Sequence, residues 1–443
     1  MKNVNADRKY PNKSDAYSTV TVLFFANIMS FIDRQIPAML VGPIKEDFNI
    51  TDSQVALLIG FTFAATYAIT VLPVGIAADR LKRKLVLGWG LFLWSFMTMA
   101  AMFVTSYRTL IVARMGVAMG ETVIAPVAVS LVSDSFPEHQ RGKAMGIISA
   151  GVYVGIGISL VGGGYLIDYL TNLGGLTLPI VGHIKPWQGA FVIAGSPGLL
   201  VMAAAFALRE PPRREVADIA NKQIIGKELF LHISEHKKTL FFLLSALMFQ
   251  AITFYSFSAW APTMLVRTYG LSLTEVGMSL GSITIIASIL GTIIAGNASD
   301  RLILLGYHDG PVRAAMIACV LALPAIVLAP LMESLMLCWI LLAVYLFFIS
   351  SFVTLGLVAV ASVATSNLKG QMTAFFALVM MISGIFGPQI TAGFTDFIFM
   401  DEAKINLSLS ITGAISLPIA ILLFRLSLPH LRNSVVQIEQ SAN

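Results

Sequence analysis

Charged residues are scarce in this sequence, and their scarcity argues against a water-soluble fold. Only 12% of the 443 residues are Asp, Glu, Lys or Arg, whereas soluble domains carry about 25%. Hydrophobic residues make up 57% of the chain, and the mean hydropathy is +0.82. A soluble core cannot bury so much apolar surface. The composition therefore predicts a protein that folds in a lipid bilayer.

Cysteine and histidine are also rare, which argues against a disulfide framework or a metal centre. The two cysteines, Cys319 and Cys338, lie in apolar stretches without metal-site spacing. The six histidines all fall in predicted loops or tails. The sequence shows no nucleotide-binding loop and no intramembrane nucleophile with a base. We therefore expect neither an enzyme nor an ATP-driven pump, and no metal or cofactor. A receptor is disfavoured because the central loop and the tail are short.

The excess of positive charge is explained by membrane topology. The net charge is +5 and the pI is near 9.1, but no basic stripe alternates with aromatics, so we expect no nucleic-acid partner. Of the 29 basic residues, two lie within helices and five lie in predicted outside loops (Lys45, Arg108, Lys185, Arg267 and Lys404). The other 22 lie in the segments that are cytoplasmic if both termini are inside. This bias predicts an inner-membrane protein with cytoplasmic termini.

Twelve apolar runs are long enough to cross a membrane, which takes about 20 residues each. We predict helices at 17–41, 54–77, 85–106, 109–132, 143–166, 187–208, 239–265, 274–297, 312–332, 335–360, 370–395 and 407–428. The longest polar interruption divides six helices from six. The predicted organisation is a six-helix bundle at 1–208, a cytoplasmic linker at 209–238, a second six-helix bundle at 239–428 and a cytoplasmic tail at 429–443.

The two halves repeat each other in sequence. The segment 75–81, GIAADRL, recurs as 296–302, GNASDRL, at an offset of 221. At an offset of 228, the RGK of 141–143 aligns with the KGQ of 369–371. Such matches predict duplicated bundles that rock about a substrate site near the bilayer midplane. The predicted fold class is thus an all-α membrane protein with twelve transmembrane helices in two pseudo-symmetric six-helix bundles.

The loop after the second helix carries a resemblance to a known family. Residues 75–84 read GIAADRLKRK, which resembles the signature loop G-x-x-x-D-R-x-x-R-R of the major facilitator superfamily, with Lys84 in place of the last arginine. In that family the loop acts as a latch for the outward-facing state. The resemblance implies gating roles for six residues: Gly75, Asp79, Arg80, Arg83, Asp300 and Arg301.

A narrower resemblance rests on the first and fourth helices. Residues 31–34 read FIDR, residues 114–121 read RMGVAMGE, and residues 134–137 read DSFP. These segments resemble the spinster branch of the superfamily. Spinster proteins transport lysophospholipids and sphingoid lipids, in several cases coupled to protons. The resemblance implies that the chain transports such lipids by alternating access.

Four ionisable residues lie inside predicted spans of the first half: Asp33, Arg34, Arg114 and Glu121. Each costs at least about 2.5–3.5 kcal/mol at a helix centre, so we expect all four to face protein or water. Arg114 and Glu121 lie seven residues apart, which places them on one face but about 10 Å apart along the axis. We therefore expect each to find partners between helices 1 and 4. Asp33 is rotated by about 100° from Arg34 and need not face the same space.

These charges suggest a division of roles. Asp33 or Glu121 is predicted to carry the coupled proton, because burial disfavours a charged carboxyl group while a guanidinium favours it. Arg34 and Arg114 are predicted to hold an anionic substrate group, with Asn27 near the face of Arg34. A static ion-pair network between helices 1 and 4 is the alternative interpretation.

The second half has no charged residue in the central stretches of its helices but many aromatic residues. Tyr255 and Trp260 are predicted substrate contacts near a break at Pro262. A cavity with one charged and one apolar wall suits an amphipathic ligand. We therefore expect a monomer, surrounded by membrane lipids, whose partners are protons and a small amphipathic or lipid substrate. The alternative is a proton symporter for a small organic anion such as an aromatic or sugar acid.

Overall fold

The computed structural model describes residues 10–179, 181–213, 230–364 and 368–442. Within this part, twelve helices are long and apolar enough to cross a membrane, which confirms the predicted architecture. They are α1 (Lys13–Met39), α2 (Asp52–Ala78), α3 (Arg83–Phe103), α4 (Tyr107–Ser135), α5 (Gln140–Asn172), α6 (Pro186–Ala207), α7 (Lys237–Tyr269), α8 (Leu273–Leu304), α9 (Gly310–Leu331), α10 (Leu335–Ser362), α11 (Gln371–Phe399) and α12 (Glu402–Val435).

The chain forms two compact units. The first unit is Met1–Val216 with Leu271–Gly281, and the second is Ala217–Gly270 with Ser282–Asn443. The first unit therefore holds α1 to α6, and the second holds α7, α9 to α12 and most of α8. The domain limits at 208, 238 and 428 stay a prediction. Helical structure continues from α12 through the predicted tail to Ala442.

The structure contains two short strands that the predicted all-helical fold did not include. Between α5 and α6, β1 (Leu176–Leu178) pairs antiparallel with β2 (Gly182–Ile184), with Leu176 opposite Ile184. A short helix, Val41–Phe48, follows α1. It ends at Asn49 in the left-handed conformation with φ 50°, which asparagine tolerates better than most residues. These pieces connect spanning helices and carry none of the predicted site residues.

The first and fifth helices pack backbone to backbone. A Cβ atom on Gly151 would lie 2.7 Å from the Phe24 carbonyl oxygen, and one on Gly155 would lie 2.6 Å from that of Ile28. Glycine at these positions lets the helices approach closely, as small residues do in membrane bundles. This contact fixes the height and rotation of α1, which carries the ionisable residues Asp33 and Arg34.

Helices α4 and α10 are each interrupted near the middle. The first consists of Tyr107–Glu121 and Ile124–Ser135, and the second of Leu335–Ile349 and Phe352–Ser362. Pro126 contributes to the first break because it has no N–H to donate to the Thr122 carbonyl group. The two breaks are 228 residues apart, the offset found in the sequence repeat. Glu121 is thus the last residue before the break in α4.

Candidate functional site

The four predicted intramembrane charges lie in the first unit on α1 and α4. Asp33 and Glu121 are each 1% exposed and Arg114 is 3% exposed. The side chain of Arg34 is 33% exposed. Burying these groups in an apolar bundle is costly unless each finds a partner. The cluster thus presents Arg34 to its surroundings and keeps the other three inside the bundle.

Glu121 joins α4 to α1. Its Oε2 atom accepts hydrogen bonds from Ser30 Oγ at 2.7 Å and from Arg34 Nε at 2.7 Å. The two donors lie four residues apart on α1 and thus share one face of that helix. The expectation that Glu121 finds partners across these two helices is confirmed. The ion pair at 2.7 Å thus joins Arg34 to a carboxylate of α4.

Asp33 faces α3 instead. Its Oδ2 atom accepts hydrogen bonds from Trp94 Nε1 and from Thr98 Oγ1, the latter at 3.1 Å. Sequence reasoning missed both donors. The available signal was their i, i+4 spacing, which puts a Trp and a Thr on one face of an otherwise apolar helix. Asp33 and Arg34 therefore bind partners on different helices, Asp33 on α3 and Arg34 on α4.

Arg114 lies close to both carboxylates without a close bond to either. Its terminal nitrogen donates to the backbone carbonyl of Asp33 at 3.3 Å, and its guanidinium carbon lies 6.0 Å from the Phe63 ring centroid. Arg114 Nε has no hydrogen-bond partner among the described residues. Because arginine stays protonated, this cation supplies permanent positive charge beside Asp33 and Glu121.

Three aromatic rings surround the guanidinium group of Arg34. Its guanidinium carbon is 4.6 Å from the ring centroid of Phe63, 5.0 Å from that of Phe31 and 6.0 Å from that of Tyr67. Ring faces attract a cation, and a guanidinium is weakly hydrated, so the stacking stabilises the charge without neutralising it. The arrangement orients a partly exposed cation that can bind a carboxylate or phosphate group.

The remaining predicted substrate contacts lie in different places. Asn27 donates to the backbone carbonyl of Ile148 at 3.0 Å, so it links α1 to α5. In the second unit, Trp260 is fully buried and its indole donates to the Pro388 carbonyl at 2.9 Å. Tyr255 is half-buried, with its ring beside that of Phe254. The substrate roles of all three stay predictions.

The signature loop holds one dense network, centred on Arg83. This fully buried arginine pairs with Asp134 and with Glu210, whose Oε1 lies 2.8 Å from Arg83 Nε. It also donates to Ser130 Oγ at 3.0 Å and to the Pro211 carbonyl at 2.6 Å. The network ties α3 to α4 and to the segment after α6.

The Arg83 network also changes the pKa of Glu210. Burial raises the pKa of Glu210, but the hydrogen bonds from the Arg83 side chain and from the backbone N–H groups of Lys84 and Arg83 outweigh it. The net effect lowers the pKa below its ordinary value. Glu210 was not among the predicted site residues, because its partners lie more than 120 residues away in sequence.

The other predicted gating residues make fewer contacts. Arg80, Asp300 and Arg301 are exposed. A Cβ atom on Gly75 would meet nothing within 4 Å, and the side chain of Asp79 lies outside what the structure describes. The gating roles of all six residues, including Arg83, stay predictions. The described residues include no group of three or more His, Cys, Asp or Glu that could hold a metal ion.

Twelve spanning helices with a basic signature loop define a membrane-transporter fold, and comparison with known families agrees. The family model described as Major Facilitator Superfamily matches residues 23–388. This chain belongs to the major facilitator superfamily. The predicted family is therefore confirmed.

Two relatives show which members of the superfamily this chain is similar to. An "MFS-type efflux pump" of Mycolicibacterium smegmatis is 29% identical over 402 residues, covering 88% of this chain and 87% of that protein. "Protein spinster homolog 1" of Xenopus tropicalis is 25% identical over 298 residues, covering 64% of this chain but only about half (54%) of that protein.

A solved structure shares the fold along nearly the whole chain. It is a bacterial homologue of the human lysosomal transporter Spinster in an inward-facing, unoccupied conformation. Its TM-score is 0.78 at 21% identity, with 97% of this chain and 99% of that chain covered. Together with the spinster relative, it confirms the predicted spinster-like resemblance.

Proposed function

We propose that this protein is a proton-coupled secondary transporter that moves a lysophospholipid-like or other amphipathic anion by alternating access. The observation that carries the proposal is the partly exposed Arg34, paired with buried Glu121 and surrounded by three aromatic rings. A permanent cation beside an ionisable carboxylate is what coupling between an anion and a proton requires. The inner membrane and cytoplasmic termini are part of the same proposal.

The physical logic is a competition for Arg34. When Glu121 is ionised, its Oε2 atom holds the guanidinium group at 2.7 Å. An anionic head group that binds Arg34 replaces that carboxylate, and a displaced buried carboxylate is stabilised by taking up a proton. Substrate binding and proton uptake thus favour each other. Asp33, equally buried, is the second candidate for the coupled proton.

A tail-length series tests the substrate class. Lysophosphatidic acids with progressively longer acyl chains compete with a fluorescent lysophosphatidic acid for the purified protein, and glycerol 3-phosphate serves as the tail-less control. Each buried methylene contributes about 0.8 kcal/mol, so affinity should rise about fourfold per added carbon until the tail site is filled. Arg34→Ala should weaken every member, and Arg34→Lys should weaken them less.

A symporter for a small organic anion is the second candidate. It is favoured by one observation: the groups described around Arg34 recognise a negative head and specify no tail. Sugar acids and benzoate would then compete as well as the longest lysolipid, and affinity would be independent of chain length. That result would replace the lipid by a small acid while keeping the proposed role of Arg34.

A further inference from the structure

The two oxygen atoms of the Asp33 carboxyl group have different surroundings. Oδ2 accepts from the indole of Trp94 and from the hydroxyl of Thr98, both on α3. Oδ1 is buried and has no hydrogen-bond partner among the described residues. This asymmetry exists inside a side chain that is only 1% exposed.

The chemistry of the donors decides which oxygen can hold a proton. An indole Nε1 is always a donor and never an acceptor. A proton on Oδ2 would make that atom a hydroxyl oxygen, a weaker acceptor that cannot hold the two donors as well as before. A proton on Oδ1 leaves both bonds to Oδ2 intact. The hydrogen bonds to Oδ2 therefore favour Oδ1 as the protonated atom of neutral Asp33.

The donors are held in place by tight helix packing. A Cβ atom on Gly120 of α4 would lie 2.5 Å from Trp94 Cβ and 2.6 Å from the Trp94 backbone nitrogen. On the other side, a Cβ atom on Gly195 of α6 would lie 3.0 Å from Thr98 Cβ. Backbones this close leave α3 little room to rotate. Trp94 and Thr98 are therefore held in position as donors to Asp33 before it binds a proton.

The charged neighbours of Asp33 come from a few elements. Helix α4 contributes Arg114 and Glu121, and Arg34 follows on α1 itself. The part of α3 beside Asp33 and the whole of α6 contain no charged residue. On α5, Ser159 donates to the Ile32 carbonyl at 3.2 Å, and the nearest charged residue, Asp168, lies nine residues further, about 13 Å along the helix.

We propose that Trp94 and Thr98 are positioning residues that hold Asp33 by Oδ2 and thereby make Oδ1 the atom that binds the proton. The inference rests on the proposed proton coupling for its role in transport. Donors to a carboxylate favour its charged form more than its neutral form, so they also set the pH at which Asp33 is protonated. Without them, Asp33 binds its proton more tightly.

The test is an infrared titration of the protein reconstituted in liposomes. The C=O stretching band of protonated Asp33 is identified by its loss in Asp33→Asn. Trp94→Phe keeps an aromatic ring and removes the N–H donor, and Thr98→Val keeps the shape and removes the hydroxyl. Hydrogen bonds to charged groups are strong, so Trp94→Phe should raise the proton affinity of Asp33 at least tenfold. Thr98→Val should raise it less.

Trp89→Phe is the matched control. Trp89 lies on the same helix, is 62% exposed and packs its ring against Phe92 and Phe206. This variant should titrate as the unaltered protein does. If Trp94→Phe also titrates as the unaltered protein, or binds its proton more weakly, the proposal is overturned.

A second measurement needs no change at Trp94. In protein labelled with ¹⁵N-tryptophan, the indole resonance assigned by its loss in Trp94→Phe should shift with pH at the midpoint of the Asp33 infrared band. A resonance that stays constant through that midpoint would contradict the proposal.

These readouts report protonation whether or not transport depends on it. If transport by Asp33→Asn keeps its normal pH dependence while the titrations behave as expected, Asp33 is not the coupling group but the donor pair stands. If that variant loses its pH dependence while Trp94→Phe titrates normally, the donor pair fails and the coupling role stands.

Discussion

The interrupted helices α4 and α10 show what the two units share and where they differ. Both break at positions 228 residues apart. In α4 the residue before the break is Glu121, which holds an arginine and a serine of α1. In α10 it is Ile349, which is fully buried, and the following Ser350 donates to the Ser288 carbonyl at 3.2 Å. The break in the backbone is common to both units, but the residue that precedes it is ionisable in the first unit and apolar in the second.

The ion-pair networks beside α3 and α9 are centred on buried residues of opposite charge. In the first unit a fully buried cation, Arg83, pairs with carboxylates of Asp134 and Glu210 that are 8% and 22% exposed. In the second unit a fully buried anion, Asp309, pairs with Arg313 and Arg432 at 2.7 Å each, and these are 27% and 50% exposed. The same kind of clamp is therefore built with opposite charges and with different access to water.

The largest expected loss of stability comes from neutralising the buried residue at the centre of each network, Arg83 or Asp309. Arg83→Gln leaves two carboxylates close together, one of them nearly buried, and breaking such a buried pair costs about 3–5 kcal/mol of folding free energy. Asp309→Asn should cost less, because its two arginines are exposed enough to be hydrated. Thermal unfolding in detergent, followed by size-exclusion fluorescence, compares the two. Equal losses would mean that solvent access does not distinguish the networks.

A smaller loss is expected where a glycine lets two helices touch. A Cβ atom on Gly120 would lie 2.5 Å from Trp94 Cβ, and one on Gly291 would lie 1.7 Å from the Phe347 carbonyl oxygen. Gly120→Ala and Gly291→Ala should each lower stability by about 1–3 kcal/mol through overpacking. Gly146→Ala on α5, where a Cβ would meet nothing within 4 Å, is the control. If it destabilises as much as the other two, packing is not the cause.

The smallest effect is the pH dependence contributed by Glu210. Because its pKa is lowered in the folded protein, the group stabilises the fold at pH values above its unfolded pKa, and that stability is lost as the pH falls through the folded pKa. Glu210→Gln should therefore melt below the unaltered protein at neutral pH and close to it in acid. Glu402→Gln, whose carboxylate is 61% exposed beside Arg267, should melt like the unaltered protein at both. A constant deficit of Glu210→Gln at all pH values would remove ionisation as the cause.

The sequence predicted the architecture well because hydrophobic length and loop charge are local signals. It also placed Asp33, Arg114 and Glu121 inside the bundle, since intramembrane charges avoid lipid. The side-chain pairings between helices were harder to predict. Trp94 as the partner of Asp33 and Glu210 as a partner of Arg83 depend on how separate helices rotate and pack, and no spacing rule within one helix contains that information. The breaks in α4 and α10 were missed because hydrophobic length alone treats each span as one helix, although polar residues lie at both breaks.

Substrate-driven proton movement tests the central claim most directly. Proteoliposomes carry a pH-sensitive dye inside, short-chain lysophosphatidic acid is added outside, and lipid exchange is followed in parallel to show that each variant still binds. The unaltered protein and Ser350→Ala should both give a pH change. Asp33→Asn, Glu121→Gln or both should lose it while keeping exchange. A full proton signal in both carboxyl variants would contradict proton coupling at the α1–α4 cluster.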